Sequence, residues 1–314
     1  MGAPQSVILD MDPRVDDALA IILAMRSPEL NVLGLTTVSG NVPVELGTQN
    51  ALKMLELVGR EEVPVFEGAS RLIEGEPIYA YHVHGQGGLG DAELPPPRAA
   101  SRGDAGTYLH DTIVERGEEL VIIATGPLTN LAHLEERQPG ILKTVKEIVV
   151  MGGAIREPGN VTPTSEFNFH VDPVAARSVV ASGAEIRLVP LDATRQVSLD
   201  SETLSSHVSS HPSEIARFCE LACRPALSRG DSQRGSQRLV LHDPLAVGVA
   251  IDRTLCATES FWIDVEPQGE LTAGQVVADF RVTGTSQRSG REVLCATRPD
   301  SKRFIELFLR RVFG

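Results

Sequence analysis

Short runs rich in β-branched residues alternate with apolar or amphipathic helical stretches along most of the chain, which is how a parallel sheet with crossover helices reads in sequence. The pattern predicts strands over residues 6–9, 32–38, 63–66, 120–124, 147–151 and 185–189, and helices over 44–58, 105–116, 129–137 and 173–181. Residues 18–25 follow the first strand as an apolar run of good helix formers. Asp16 and Asp17 therefore fall at a helix start, where acidic side chains suit the dipole. The expected architecture is α/β, an open and mostly parallel sheet flanked by helices.

Polar or glycine-rich residues follow several of these strands: Asp10-Met11-Asp12, Ser39-Gly40-Asn41, Thr125-Gly126 and Gly152-Gly153. Ligands of open α/β sheets bind at the carboxyl ends of the strands, so these segments are expected to meet at one crevice. Two stretches break the periodicity. Residues 75–102 are rich in Gly, Pro and His and read as a long functional loop, and 228–238, full of Ser, Arg, Gly and Gln, read as a mobile flap beside the site. There is no internal repeat and no linker, so a single domain over 1–314 is expected.

Charge narrows the partners. A formal net charge of -13, from 42 acidic against 29 basic residues, would repel a phosphate backbone, and no basic stripe interrupts it. A nucleic-acid polymer is excluded as the expected partner. No apolar run is long enough to span a bilayer, and residues 1–6 lack the pattern of a secretory leader, so the reading is a cytoplasmic protein. Cys219, Cys223, Cys256 and Cys295 have no zinc-site spacing and are read as buried free thiols. Trp262, within Phe261-Trp262-Ile263, is read as a core or interface residue.

The densest chemistry is Asp10-Met11-Asp12-Pro13-Arg14-Val15-Asp16-Asp17, with four carboxylates across a strand-to-helix turn. Carboxylates so crowded either raise one another's pKa or hold a hard cation, and Ca²⁺ takes six to eight oxygens from such groups and from backbone carbonyls. Far along the chain, Leu241-His242-Asp243-Pro244 places an imidazole beside a further carboxylate in an apolar setting. Between them, Asn160, Glu166 and Asn168 supply orientable donors and acceptors suited to a polyhydroxylated ligand.

Taken in order, these motifs resemble the inosine-uridine-preferring nucleoside hydrolases. The resemblance is carried by Asp10-Met11-Asp12-Pro13 with Asp16-Asp17-Ala18, by Thr36-Thr37-Val38-Ser39-Gly40-Asn41 and by Thr125-Gly126-Pro127-Leu128-Thr129-Asn130-Leu131-Ala132. It continues through Met151-Gly152-Gly153, Glu166-Phe167-Asn168, Asp172-Pro173 and His242-Asp243-Pro244. It runs from about residue 6 to the C-terminal helix and implies a Rossmann-like sheet and calcium-dependent hydrolysis of the N-glycosidic bond of ribonucleosides.

The resemblance also implies roles. Asp12, Asp17, the backbone carbonyl of Thr125 and Asp243 would bind Ca²⁺. Asp16, Asn41, Asn168 and Asp243 would hold the ribose 2′- and 3′-hydroxyls, and Asn160 and Glu166 the 5′-hydroxyl. Asp12 would be the general base and His242 the acid for the leaving base, an imidazole whose ordinary pKa lies near neutrality. Asp10 would orient the loop, and His84, in His82-Val83-His84-Gly85, would touch the ribose 5′ end or the base. Assembly as a homodimer or homotetramer is likewise implied.

Two departures stand out. Arg14 occupies a position where the family usually carries glycine, and it must adopt that backbone without strain or shift it; its guanidinium would pair with a carboxylate, weakening calcium binding, or contact a charged substrate. Between Ala222 and His242 there is no aromatic residue; Arg224, Arg229, Arg234 and Arg238 stand there instead, and recognition of the base by arginines would replace aromatic stacking. Two other functions use the same residues. A phosphatase of the HAD type would use Asp10-Met11-Asp12, but no lysine follows a strand in the setting such a site needs. A non-catalytic nucleoside or ribose binder would have its metal site disabled by Arg14.

Overall fold

The computed structural model describes residues 3–80, 85–229, 238–281 and 288–314. Its strands are β1 (Gln5–Met11), β2 (Leu30–Thr37), β3 (Val65–Glu67), β4 (Val121–Ala124), β5 (Glu147–Met151), β6 (Ile186–Val189), β7 (Ser198–Asp200), β8 (Arg238–Val240), β9 (Cys256–Val265), β10 (Val276–Ala278) and β11 (Arg291–Pro299). The helices are α1 (Val15–Met25), α2 (Val44–Leu57), α3 (Ala105–Arg116), α4 (Thr129–Arg137), α5 (Phe167–Val171), α6 (Pro173–Ala181), α7 (Leu191–Thr194), α8 (Ser201–Ser210), α9 (Glu214–Arg229), α10 (His242–Ile251) and α11 (Ser301–Phe313).

Nine strands form one sheet in the order β10-β9-β11-β6-β5-β4-β1-β2-β3. From β11 to β3 every neighbouring pair is parallel, and near one edge β9 pairs antiparallel with both β11 and β10. Within it, the run β3-β2-β1-β4-β5-β6 is a doubly wound order whose direction of winding reverses between β1 and β4, and ligands of such sheets bind at that reversal. β7 and β8 pair separately.

The period-two alternation of side chains divides the core into two layers. Val7, Leu9 and Met11 of β1, with Val121, Ile123, Val149 and Met151, pack on one face against α1, α2, α10 and α11. Ile8, Ile122, Ile148 and Val150 pack on the other face against α3, α4 and α6. All eleven residues of α1 are buried, and α10 is buried from Asp243 to Ala250. A helix that is apolar all round can be stable only inside a protein. α1 packs on α10, which is what draws the two distant acidic segments to one place.

The predicted strands and helices all appear within a residue or two of their ends. Helix α1 begins at Val15, so Asp16 and Asp17 lie in its first turn as expected. The C-terminal strands β9, β10 and β11, which complete the sheet, had no counterpart in the sequence prediction beyond the run around Trp262. The four cysteines are buried and free, as expected. No helix among the described residues is long and apolar enough to cross a membrane.

Candidate active site

The carboxyl ends of β1 and β4 stand side by side, with Asp10 opposite Ala124, and β2 lies on the other side of β1 with Thr36 opposite Asp10. A register shift between Val7 and Ile8 sets this pairing. Asp10 is wholly buried, and its Oδ1 accepts hydrogen bonds from Thr36 Oγ1 at 2.6 Å and Asn130 Nδ2 at 2.8 Å. Asn130 also donates to the Thr37 carbonyl at 2.9 Å and accepts from the Ala69 N–H, so Asp10 belongs to a network that ties β1 to β2 and α4. Burial pushes Asp10 up to about 6 despite those hydrogen bonds.

Asp12, one step beyond β1, is also wholly buried. Its Oδ2 accepts from both the backbone N–H and the side-chain amide of Asn41, the latter at 2.7 Å, while Oδ1 has no hydrogen-bond partner. Gly40 is required here, because a Cβ at that position would collide with the Asp12 carboxylate and with Pro127. Burial, and then repulsion from Asp17, push Asp12 up to about 7.

In the first turn of α1, Asp17 Oδ1 accepts from Thr125 Oγ1 at 2.7 Å, and Asp16 Oδ2 accepts from the Asp243 backbone N–H at 2.9 Å. Helix α10 thus delivers Asp243 against α1. Neither carboxylate oxygen of Asp243 has a hydrogen-bond partner, nor does Asp16 Oδ1. Arg14, 8% exposed, reaches into this group: its guanidinium lies 3.4 Å from Asp243 Oδ2, 3.8 Å from Asp17 Oδ2 and 3.9 Å from Asp16 Oδ2. Arg14 has φ -128° and ψ -166°, an extended backbone open to any residue, so the side chain in place of glycine brings no strain.

Asn168, near the start of α5, donates from Nδ2 to the carbonyls of Thr125 at 2.8 Å and Met151 at 3.1 Å, which leaves its buried Oδ1 without a partner. Glu166 caps the same helix: Oε1 accepts from Asn168 N, and Oε2 accepts from Phe169 N and from Gly153 N at 3.0 Å. Asn160 is exposed, and its Oδ1 accepts from Phe167 N at 2.9 Å. His242, partly buried at the start of α10, has Nδ1 at 2.7 Å from Thr194 Oγ1. Burial, then the charges of Arg14 and Arg195, push its pKa down to about 3, below the near-neutral value expected from the sequence. The imidazole here is neutral, so any help to a leaving group comes by hydrogen bond rather than from a resident imidazolium.

The structure therefore brings Asp10, Asp12, Asp16, Asp17, Thr125, Asn41, Asn168 and Asp243 into one hydrogen-bonded and ion-paired neighbourhood. Thr36, Asn130 and Thr194 are the supporting residues whose roles sequence reasoning missed, since each acts by touching another side chain across the fold. His84 and Arg234 lie outside the described residues, as does most of the 228–238 stretch. Among the arginines proposed to read the base, Arg224 stands exposed, 4.0 Å from Asp91.

A family model described as inosine-uridine preferring nucleoside hydrolase matches residues 7–306, nearly the whole chain. The chain belongs to this family. Uridine nucleosidase 1 of Arabidopsis thaliana is 38% identical over 284 residues, spanning 89% of this chain and 83% of the relative. Among solved structures, the plant nucleoside hydrolase PpNRh1 superposes with a TM-score of 0.92 at 33% identity, covering 99% of both chains. A purine-preferring ribonucleoside hydrolase from Gardnerella vaginalis superposes with a TM-score of 0.91 at 31% identity, covering 99% of this chain and 98% of that one. This nucleoside hydrolase thus carries the family's sheet and its ordered acidic motifs, and the phosphatase alternative is set aside.

Proposed function

We propose that this protein hydrolyses the N-glycosidic bond of ribonucleosides to free base and ribose, with Asp12 as general base. The observation that carries the reading is the state of Asp12: buried at the winding reversal of the sheet, fixed through Oδ2 by Asn41, and bare at Oδ1. A base with one oxygen anchored and the other unpartnered is aimed before the substrate arrives.

The donors present fit a hard divalent cation. The Oδ1 atoms of Asp12 and Asp243 are buried with no partner, which is costly unless something positive meets them, and an all-oxygen set is what Ca²⁺ takes. Asp12, Asp17, the Thr125 carbonyl and Asp243 would hold it. When bound, the cation supplies charge that makes a water more acidic and neutralises the crowded carboxylates.

The chain's own residues do the rest. Asp16, Asn41, Asn168 and Asp243 orient the ribose 2′- and 3′-hydroxyls, the bare Oδ1 of Asn168 and Oδ1 of Asp16 serving as acceptors. Asn160 and Glu166 meet the 5′-hydroxyl, and His84 contributes from its loop. Asp12 takes the proton from the water that attacks C1′ as the bond to the base breaks. His242 donates a hydrogen bond to the departing base through Nε2–H, in the tautomer where the Thr194 hydroxyl donates to Nδ1. The reading extends to one domain over 1–314, acting as a cytoplasmic homodimer or homotetramer on small-molecule nucleosides.

A base-release assay over purine, pyrimidine and modified ribonucleosides, with and without a calcium chelator, tests this directly. Release by the wild type that is lost in Asp12→Asn and with chelator is the expected result. Tight nucleoside binding without release from any riboside would instead favour a sugar-binding protein.

A further inference from the structure

The acidic cluster contains a cation of its own. Arg14 sits at the N-cap of α1 with its guanidinium among Asp16, Asp17 and Asp243, and the three nitrogen-to-oxygen separations, 3.4 to 3.9 Å, are ion pairs rather than close hydrogen bonds. Its Nε is buried with no hydrogen-bond partner, and so are oxygens of Asp12, Asp16 and Asp243. One guanidinium is thus shared loosely among carboxylates that outnumber it. Among the described residues no group of three or more Asp, Glu, His or Cys side chains is arranged to hold a metal ion, and three of the acids of this cluster lie within 4 Å of the Arg14 guanidinium instead.

We infer that Arg14 is a tethered counter-cation that competes with a divalent metal for the carboxylates of Asp17 and Asp243, and so lowers this chain's affinity for calcium. The inference rests on the reading of these residues as a calcium site. Two effects act in the same direction. A fixed positive charge within a few ångström repels a divalent ion in a buried site where screening is weak. The metal must also release ion pairs that already offset part of the carboxylates' desolvation. The competition is nevertheless incomplete. The single charge of Arg14 does not balance Asp12, Asp16, Asp17 and Asp243, and the bare oxygens remain to attract a metal.

Position 14 tolerates the diagnostic changes. Its extended backbone accepts glycine or any other residue, and the side chain makes no hydrogen bond on which the helix cap depends. Glycine removes both bulk and charge, glutamine removes charge while keeping most of the length, and lysine keeps the charge.

Isothermal titration of CaCl₂ into chelator-treated full-length wild type, Arg14→Gly, Arg14→Gln and Arg14→Lys is the test, with circular dichroism to establish folding. Arg14→Gly and Arg14→Gln are expected to bind calcium on the order of 100-fold more tightly than wild type, the scale of removing a nearby unit charge from a partly buried site. Arg14→Lys should stay within a few fold of wild type. Equal affinity in all four proteins would overturn the inference while leaving the metal reading intact. Absence of calcium binding in every folded variant would overturn both. Should Arg14→Gly fail to fold, Arg14→Gln against Arg14→Lys makes the same comparison of charge.

Discussion

Asn41 grips a single oxygen of Asp12, Oδ2, with both its backbone N–H and its side-chain amide, and leaves Oδ1 bare. This asymmetry gives the two oxygens of one carboxylate different work. One fixes the rotamer, and the other is held ready for a proton or a cation.

Asn41→Ala should therefore keep the backbone half of the grip and lose the side-chain half, together with a ribose contact. We expect kcat/KM for ribonucleoside hydrolysis to fall at least about tenfold, or about 1.4 kcal/mol of transition-state stabilisation. The far-ultraviolet circular dichroism spectrum should be unchanged. Steady-state kinetics beside a thermal melt checks this, and unaltered kinetics would mean that Asp12 is positioned by something else.

Thr194→Val replaces the hydroxyl 2.7 Å from His242 Nδ1 with a methyl group of similar shape. Thr194 and His242 come from α7 and α10, and this contact fixes the ring's orientation. The expected loss is roughly tenfold, seen in kcat more than in KM, because the hydrogen bond to the base strengthens as the base departs. A change confined to KM would place His242 in substrate binding alone.

The thiols give a prediction away from the site. Burial pushes Cys219, Cys256 and Cys295 up to about 12, and Cys223 is raised in the same way. A raised thiol pKa leaves little thiolate at pH 8, and thiolate is the reactive form. The folded protein should be nearly inert to an aromatic disulfide reagent, and the denatured protein should yield all four thiols. Rapid labelling of the native chain would show that one of these side chains reaches solvent.

How much was legible in the sequence follows from which forces are local. Periodicity exposed β1 to β6 and helices α2, α3, α4 and α6, because an alternating or helical pattern states which face each residue buries. The long strand β9 and its partner β11 were missed. β9 mixes exposed positions such as Ala257 and Ser260 with half-buried ones such as Thr258, and its pairing with distant residues rather than its composition makes it a strand.

The acidic cluster at 10–17 and the pair His242-Asp243 were readable as chemistry, since their residue types carry it wherever they stand. Only the tertiary structure decided which atoms are free. The packing of α10 on α1 sets Asp243 N on Asp16, and the shifted register of β1 against β2 places Thr36 on Asp10. A pKa near 3 for His242 likewise needs the burial and the neighbouring arginines that folding supplies. Sequence determined the inventory of oxygens and nitrogens and the mostly parallel α/β character of the sheet. Hydrogen-bond partners, desolvation and the placement of Arg14 depend on distances of a few ångström between residues such as Asp16 and Asp243, 227 positions apart, and those exist only once the chain has packed.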